Sequence, residues 1–128
     1  MKLLLDTHLL LRAAGRPERL SNYARELLDE PGNDLLFSAA SLWEVMVKRL
    51  LGRDDFRVDA RLLRRGLLDN GYGELPITSE HAIAMESLPA IHNDPFDRML
   101  LVQSLVEGVI LVTSDALLAE YPAPVRLV

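Results

Sequence analysis

The 128-residue chain carries a net charge of −5, and 49% of its residues are hydrophobic against 26% that are charged. This composition is typical of a globular protein, and we expect residues 1–128 to form a single domain. The chain has no cysteine, which excludes disulfides, thiolate zinc sites and cysteine nucleophiles. It also lacks a signal-peptide pattern and any apolar run long enough to span a membrane, so we expect a cytoplasmic protein without membrane attachment.

The first predicted strand is Lys2–Leu5, a leucine-rich run that ends at Asp6. Such a run is typical of a parallel strand that is buried on both faces. The next predicted elements are a helix that ends at Gly15 and Pro17, a helix capped by Ser21 and ended by Pro31-Gly32, a strand at Leu35–Phe37, a helix capped by Ser38 or Ser41 and closed by Gly52, and a helix from about Asp59 to Leu68.

In the second half, Glu74–Ile77 is predicted to be an edge strand, because Pro76 cannot donate a hydrogen bond within a central one. Val109–Val112 is the second strand with the pattern of burial on both faces, and it leads to Asp115. The other predicted elements are a helix opened by Ser79 and broken at Pro89, a long apolar helix opened by Asp94 and closed by Gly108, a short helix, and a final strand near Val125–Val128. Strands that alternate with helices predict an α/β fold with a central parallel sheet between helix layers.

Four acidic side chains lie at junctions between these elements. Asp6 and Asp115 follow the two most apolar strands, and Glu44 lies in the first turns of the helix after the second strand. Strand ends and the helix starts that follow them share one edge of a parallel sheet, so these three carboxylates should converge. Asp97 lies in the first turn of the helix before the last buried strand, and the loop 92–97 would have to bring it to the same edge.

Each acid also has a purely structural interpretation. Asp6 and Asp115 are placed to cap helices, and Asp97 is placed to favour a helix dipole. Glu44 is compatible with a surface position. Four carboxylates at one edge would, however, raise one another's pKa unless a cation neutralised them. Oxygen ligands suit Mg²⁺ or Mn²⁺, and one or two such ions can support hydrolysis of a phosphodiester bond by activating water and stabilising the phosphate.

The other polar candidates are less specific. His8, His81 and His92 lack the spacing of a metal-binding pair, so structural roles are predicted for all three. Thr113 precedes a site acid by two residues and is a candidate for binding phosphate, with capping as an equal alternative.

Half of the 14 basic residues lie between positions 48 and 65. Within this segment Arg53, Arg57 and Arg61 are candidates for contacts with phosphates. The alternative is an ordinary solvated helix face.

Four stretches stand in an order that resembles proteins of the PIN-domain family, and nearly the whole chain is covered. They are Leu4–His8, Ser38–Glu44, His92–Arg98 and Leu111–Asp115. The chain is most similar to VapC-type toxins of bacterial toxin–antitoxin pairs, and the H-x-D-P-F-D-R string is the most specific part of the match. Arg12 is a departure, since relatives often carry an aromatic residue there.

This resemblance implies a three-layer α/β/α domain and a Mg²⁺-dependent endoribonuclease that cleaves structured RNA such as tRNA or rRNA. It implies an acidic site of Asp6, Glu44, Asp97 and Asp115, in which Asp6 and Asp97 are the direct metal ligands and Mn²⁺ is an alternative ion. Asp94 matches the family string but is interpreted as a helix cap. The resemblance further implies a cognate antitoxin as partner and a homodimer.

Two other classes of function remain open. A phosphoacceptor signalling domain would also have acids at strand ends, but such domains use a lysine after a late strand, and the only lysines here are Lys2 and Lys48. A catalytically vestigial PIN-like module would keep the fold and bind a protein partner without metal. Labelling by a small phosphodonor would support the first class, and an absence of Mn²⁺ binding would support the second.

Overall fold

The computed structural model describes residues 1–52 and 58–128, and the strands in these residues form one parallel sheet. The strands are β1 (Lys2–Leu5), β2 (Asp34–Ser38), β3 (Gly73–Leu75), β4 (Ile110–Thr113) and β5 (Val125–Leu127). Their order in the sheet is β3-β2-β1-β4-β5, and every neighbouring pair is parallel. The first strand in the chain is therefore the central strand of the sheet.

Helices cover both faces of this sheet. The α-helices are α1 (Thr7–Gly15), α2 (Asn22–Asp29), α3 (Ala39–Leu50), α4 (Ala60–Asp69), α5 (Ser79–Ala84) and α6 (Pro95–Glu107). Short 3₁₀ turns occupy Pro17–Arg19, Met85–Ser87 and Leu118–Glu120. The predicted α/β class with a central parallel sheet is confirmed. Within the described ranges, none of the helices has the length and hydrophobicity that a bilayer crossing requires.

Two hydrophobic clusters explain the leucine run in β1. Leu3 and Leu5 pack into one cluster with residues of α1, α2 and α4, and Leu4 packs into a second cluster with residues of α6. Successive side chains of a strand point to opposite faces, so a strand covered on both sides needs apolar residues at every position. All three leucines are fully buried, as the sequence predicted.

The structure corrects the predicted bounds of two elements and decides the cap of a third. β3 is an edge strand, as predicted, but it ends at Leu75, so Pro76 lies beyond the ladder. Ser38 is the cap of α3 and accepts a hydrogen bond from the Ala40 amide, whereas Ser41 accepts one from the Thr7 hydroxyl. The helix predicted to reach Pro89 ends at Ala84 and continues as a 3₁₀ turn.

Two glycines allow a paired test of backbone conformation. Gly108 ends α6 in the left-handed region with φ of 68°, which an L side chain adopts only with strain. Gly66 lies inside α4, and a Cβ there would meet nothing within 4 Å. We expect Gly108→Ala to lower the free energy of unfolding by about 1 kcal/mol and Gly66→Ala to raise it by about 0.5–1 kcal/mol. Urea denaturation of both variants checks the opposite signs, and equal effects would contradict this account.

Candidate active site

Asp6 lies at the end of the central strand, where it is both a helix cap and a member of the acidic site. Its Oδ1 accepts a hydrogen bond from the Leu9 amide at 2.9 Å, which caps α1, and its Oδ2 accepts one from the Thr113 hydroxyl. Burial raises the pKa of Asp6, and these two hydrogen bonds oppose the rise. The capping and site interpretations are therefore compatible, because each uses a different carboxylate oxygen.

Thr113 connects the ends of the two neighbouring strands β1 and β4. Its hydroxyl donates to Asp6 and accepts a hydrogen bond from the Asp115 amide at 3.0 Å, and the residue is fully buried. Thr113 thus aligns both acids from within the fold. The contact with phosphate that the sequence suggested for this residue stays a prediction. It would have to be made beside these two hydrogen bonds.

Glu44 is buried on α3, and this contradicts the surface position that the sequence allowed. Its Oε2 forms an ion pair with Lys48 one helical turn later. Its Oε1 is the one buried side-chain nitrogen or oxygen in the described parts of the chain that has no hydrogen-bond partner. An unpartnered buried carboxylate oxygen is costly, and a cation beside it would remove that cost.

Asp97 lies in the first turn of α6, which Asp94 caps by accepting hydrogen bonds from the amides of Phe96 (2.8 Å) and Asp97 (3.3 Å). The pKa of Asp97 is raised to about 7, first by burial and then by the charges of Asp94, Glu44 and Asp6. The start of α3 adjoins this turn, since Trp43, the neighbour of Glu44, contacts Phe96, the neighbour of Asp97.

Asp115 joins the group through His92. The Nε2 atom of His92 lies 3.1 Å from Asp115 Oδ2 and 3.4 Å from Asp97 Oδ2. Potential ligand atoms of these three residues all lie within 4.8 Å of one another. The loop before α6 therefore brings Asp97 to the edge where β1 and β4 end, beside Asp115 and near Asp6, which shares the Thr113 hydroxyl with the Asp115 amide.

Two features of the site were not found by sequence reasoning. His92 was predicted to be structural, but its ring lies between two of the acids. The sequence did contain a signal for this role, because His92 lies in the same H-x-D-P-F-D-R string as Asp97. Trp43 and Phe96 are in edge-to-face contact with ring centroids 5.0 Å apart, and they hold the starts of α3 and α6 together. His81, in contrast, is buried away from the site with its ring bonded to the Thr78 amide and Glu107.

The basic segment is only partly described. Arg53 and Arg57 lie outside the described residues, and Arg61 is exposed on α4. Two neighbouring arginines form ion pairs, Arg49 with Asp59 and Arg64 with Glu74. The described part of this segment therefore includes neutralised charges as well as exposed ones.

The acidic group has the properties of a site for a hard divalent cation. Its donors are carboxylate oxygens, which suit Mg²⁺ or Mn²⁺. Glu44 Oε1 is buried without a partner, and the charges of Asp94, Glu44 and Asp6 add to burial in raising the pKa of Asp97.

The comparisons with known proteins agree with this architecture. The model of the PIN domain family matches residues 3–124. Similar solved structures include the VapBC2 proteins from Rickettsia felis, which are bound to a DNA fragment from their promoter. This match has a TM-score of 0.72 and 14% identity, and it covers 99% of this chain and 98% of that chain. VapBC-1 from nontypeable Haemophilus influenzae has a TM-score of 0.62 and 16% identity, with coverage of 99% and 98%. At these identities the likeness shows a shared fold. None of the curated proteins compared with the chain matches it.

Proposed function

Because the chain belongs to the PIN domain family, we propose that it is a divalent-metal-dependent endoribonuclease of the VapC type, the toxin of a toxin–antitoxin pair. In this proposal residues 1–128 act as a single cytoplasmic domain, and the substrate is structured RNA such as tRNA or rRNA. The observation that carries the proposal is a cluster of acids at one sheet edge, where Asp97 and Asp115 share His92 and Asp6 shares Thr113 with the Asp115 amide. The buried Glu44 oxygen without a partner supports it.

In the proposed mechanism Asp6 and Asp97 hold Mg²⁺ or Mn²⁺, and Glu44 and Asp115 complete the acidic site. Such an ion supplies Lewis-acid chemistry, lowering the pKa of water and stabilising charge on the scissile phosphate. The chain's own contribution is to fix the carboxylates in place. Thr113 and the Leu9 amide hold Asp6, and the Asp94 cap sets the first turn of α6 that carries Asp97.

The proposed partners are the RNA substrate, a cognate antitoxin and a second copy of the chain. The fold is similar to that of the VapBC structures described above, which supports an antitoxin as partner. A basic side chain of an antitoxin would satisfy the carboxylates in place of a metal, because an arginine pairs favourably with carboxylate oxygens.

A cleavage assay on purified protein tests the proposed activity. The protein is incubated with total RNA and Mg²⁺ or Mn²⁺, and the new RNA ends are sequenced. We expect cleavage that a chelator stops, and we expect Asp6→Ala to lose it while Asp69→Asn, a change of an exposed acid on α4, keeps it. Full cleavage by Asp6→Ala, or cleavage that survives the chelator, would contradict the proposal.

We further propose that Arg61 contacts RNA phosphates together with Arg53 and Arg57. Arg61→Gln is expected to weaken binding of RNA by the inactive Asp97→Asn protein, and to lower the slope of log affinity against log salt by about 0.7–0.9. Filter binding at several salt concentrations measures that slope. Arg19→Gln, a change of an exposed arginine in the turn before α2, is the control and should leave the slope unchanged. Equal slopes for Arg61→Gln and the unsubstituted background would remove Arg61 from the proposed RNA surface.

A further inference from the structure

His92 has two contacts that together fix which of its ring nitrogens carries the hydrogen. The backbone amide of Asp94 donates a hydrogen bond to His92 Nδ1 at 3.0 Å. An amide nitrogen can only donate, so Nδ1 accepts and has no hydrogen of its own. The hydrogen of the neutral ring is therefore on Nε2, the nitrogen that faces the acids.

The Nε2–H group consequently meets two carboxylates as a donor. It donates to Asp115 Oδ2 at 3.1 Å, and Asp97 Oδ2 lies 3.4 Å away. A ring nitrogen that carries a hydrogen has no free lone pair and cannot bind a metal ion. Ligation through Nε2 would require the hydrogen to move to Nδ1, where it would point at the hydrogen of the Asp94 amide.

The backbone around His92 is held by a separate group of contacts. The Tyr121 hydroxyl accepts hydrogen bonds from the amides of His92 at 2.7 Å and Ile91 at 3.2 Å. The Arg98 guanidinium donates to the carbonyl of His92 at 3.4 Å and to that of Pro89 at 3.0 Å. These contacts fix the loop that carries the ring, so its orientation does not depend on the acids alone.

We propose that His92 is a positioning residue that holds Asp97 and Asp115 in place by donating a hydrogen bond, and that it is not a metal ligand beside them. The inference rests on the proposed metal site. His92, Asp97 and Asp115 lie close enough together to suggest a three-ligand centre, but the amide bonded to Nδ1 excludes the histidine from that role. In known metal sites, loss of such an outer hydrogen bond typically lowers metal affinity by about 10- to 100-fold.

The first test compares two substitutions of His92 by Mn²⁺ affinity, measured by electron paramagnetic resonance of the free ion. His92→Phe keeps a ring but removes the donor, and we expect Mn²⁺ binding to weaken by about 10- to 100-fold. His92→Gln has an amide nitrogen that can reach the same position, and we expect it to recover most of that loss. His81→Phe, a change of the buried histidine on α5, is the control and should lower the melting temperature without changing Mn²⁺ affinity.

The second test needs no variant. Electron spin-echo modulation of Mn²⁺ bound to the unsubstituted protein reports directly coordinated nitrogen, and we expect no such coupling. A directly bound imidazole nitrogen would overturn the positioning role, as would a His92→Phe protein with unchanged Mn²⁺ affinity. Neither result would affect the proposed ribonuclease activity. Conversely, a protein that binds Mn²⁺ with the expected loss in His92→Phe but does not cleave RNA would contradict the proposed activity and support the role of His92. A lack of Mn²⁺ binding would overturn both.

Discussion

Asp97→Asn is expected to abolish RNA cleavage and, at the same time, to stabilise the metal-free protein at pH 8. The carboxylate is proposed as a direct metal ligand, so its loss should reduce the rate by about a hundred- to a thousandfold, below detection in a gel assay. The stabilisation follows from the pKa of Asp97, which is raised from 3.8 to about 7 by burial and by neighbouring acids. At pH 8 the folded protein must therefore keep a charge that its surroundings disfavour, and an amide of the same shape removes it.

The sign and the pH range of this effect follow from linkage. For an acid with a raised pKa in the folded state, the folded protein keeps its proton over a range in which the unfolded chain has lost it. Stability is therefore lost as the pH rises from about 4 to about 7. We expect Asp97→Asn to raise the free energy of unfolding at pH 8 by about 2 kcal/mol, less than the full shift would give, because solvent partly screens the charge.

Thermal melts in a chelator measure this difference, and two comparisons sharpen it. At pH 4 the advantage of Asp97→Asn should nearly vanish, because Asp97 is then protonated in the folded protein. Asp69→Asn, a change of an exposed acid, should show no gain at pH 8. Identical melting temperatures for Asp97→Asn and the unsubstituted protein at pH 8 would show that the charge of Asp97 does not destabilise the folded protein. That result would weaken the case for a cation site.

The sequence was sufficient to predict that Asp6 and Asp115 lie at one edge of the sheet, because parallel strands follow a general rule. The run Leu3–Leu5 and the strand before Asp115 both need cover on two faces, which requires a parallel sheet between helix layers. Asp6 and Asp115 then lie at the same edge because they follow neighbouring parallel strands. This argument uses only the order and polarity of the elements, and so it needs no knowledge of individual contacts.

The role of His92 was beyond such reasoning, because it depends on one hydrogen bond within a loop. The loop is held by Tyr121 and Arg98, of which the first is 29 positions from His92 in the chain. No periodic pattern connects these residues. The choice between ligand and donor depends on whether the Asp94 amide faces Nδ1, and only the folded loop determines this.

The start of α3 shows that the hydropathy of a side chain does not always predict its burial. Trp43 is 57% exposed and its neighbour Glu44 is 1% exposed, which is the reverse of what their side chains prefer. The pattern of α3 alone therefore placed Glu44 correctly on a helix but could not decide its burial. Such a local inversion is expected where a binding or catalytic function, rather than stability, determines which residue is buried. It agrees with the unpartnered Oε1 of this glutamate.

Mn²⁺ affinity is expected to fall by about a hundredfold between pH 8 and pH 5, through the protonation of Asp97. A metal ion binds the ionised carboxylate, so below a pKa of about 7 each ion must displace a proton. The expected loss approaches tenfold for each pH unit below the pKa. Burial also raises the pKa of Asp6, and a steeper decline would indicate that this second carboxylate takes up a proton in the same range.

Calorimetric titration with Mn²⁺ at several pH values, repeated in buffers of different ionisation enthalpy, measures both the affinity and the protons released. Asp97→Asn should bind Mn²⁺ more weakly at pH 8 and should show a pH slope that is smaller by about one. A profile that is flat from pH 8 to pH 5 in the unsubstituted protein would mean that Asp97 is already ionised at pH 5. In that case the neighbouring charges do not act on it as its burial and position suggest, and the proposed pairing of Asp6 and Asp97 around one ion would lose its electrostatic basis.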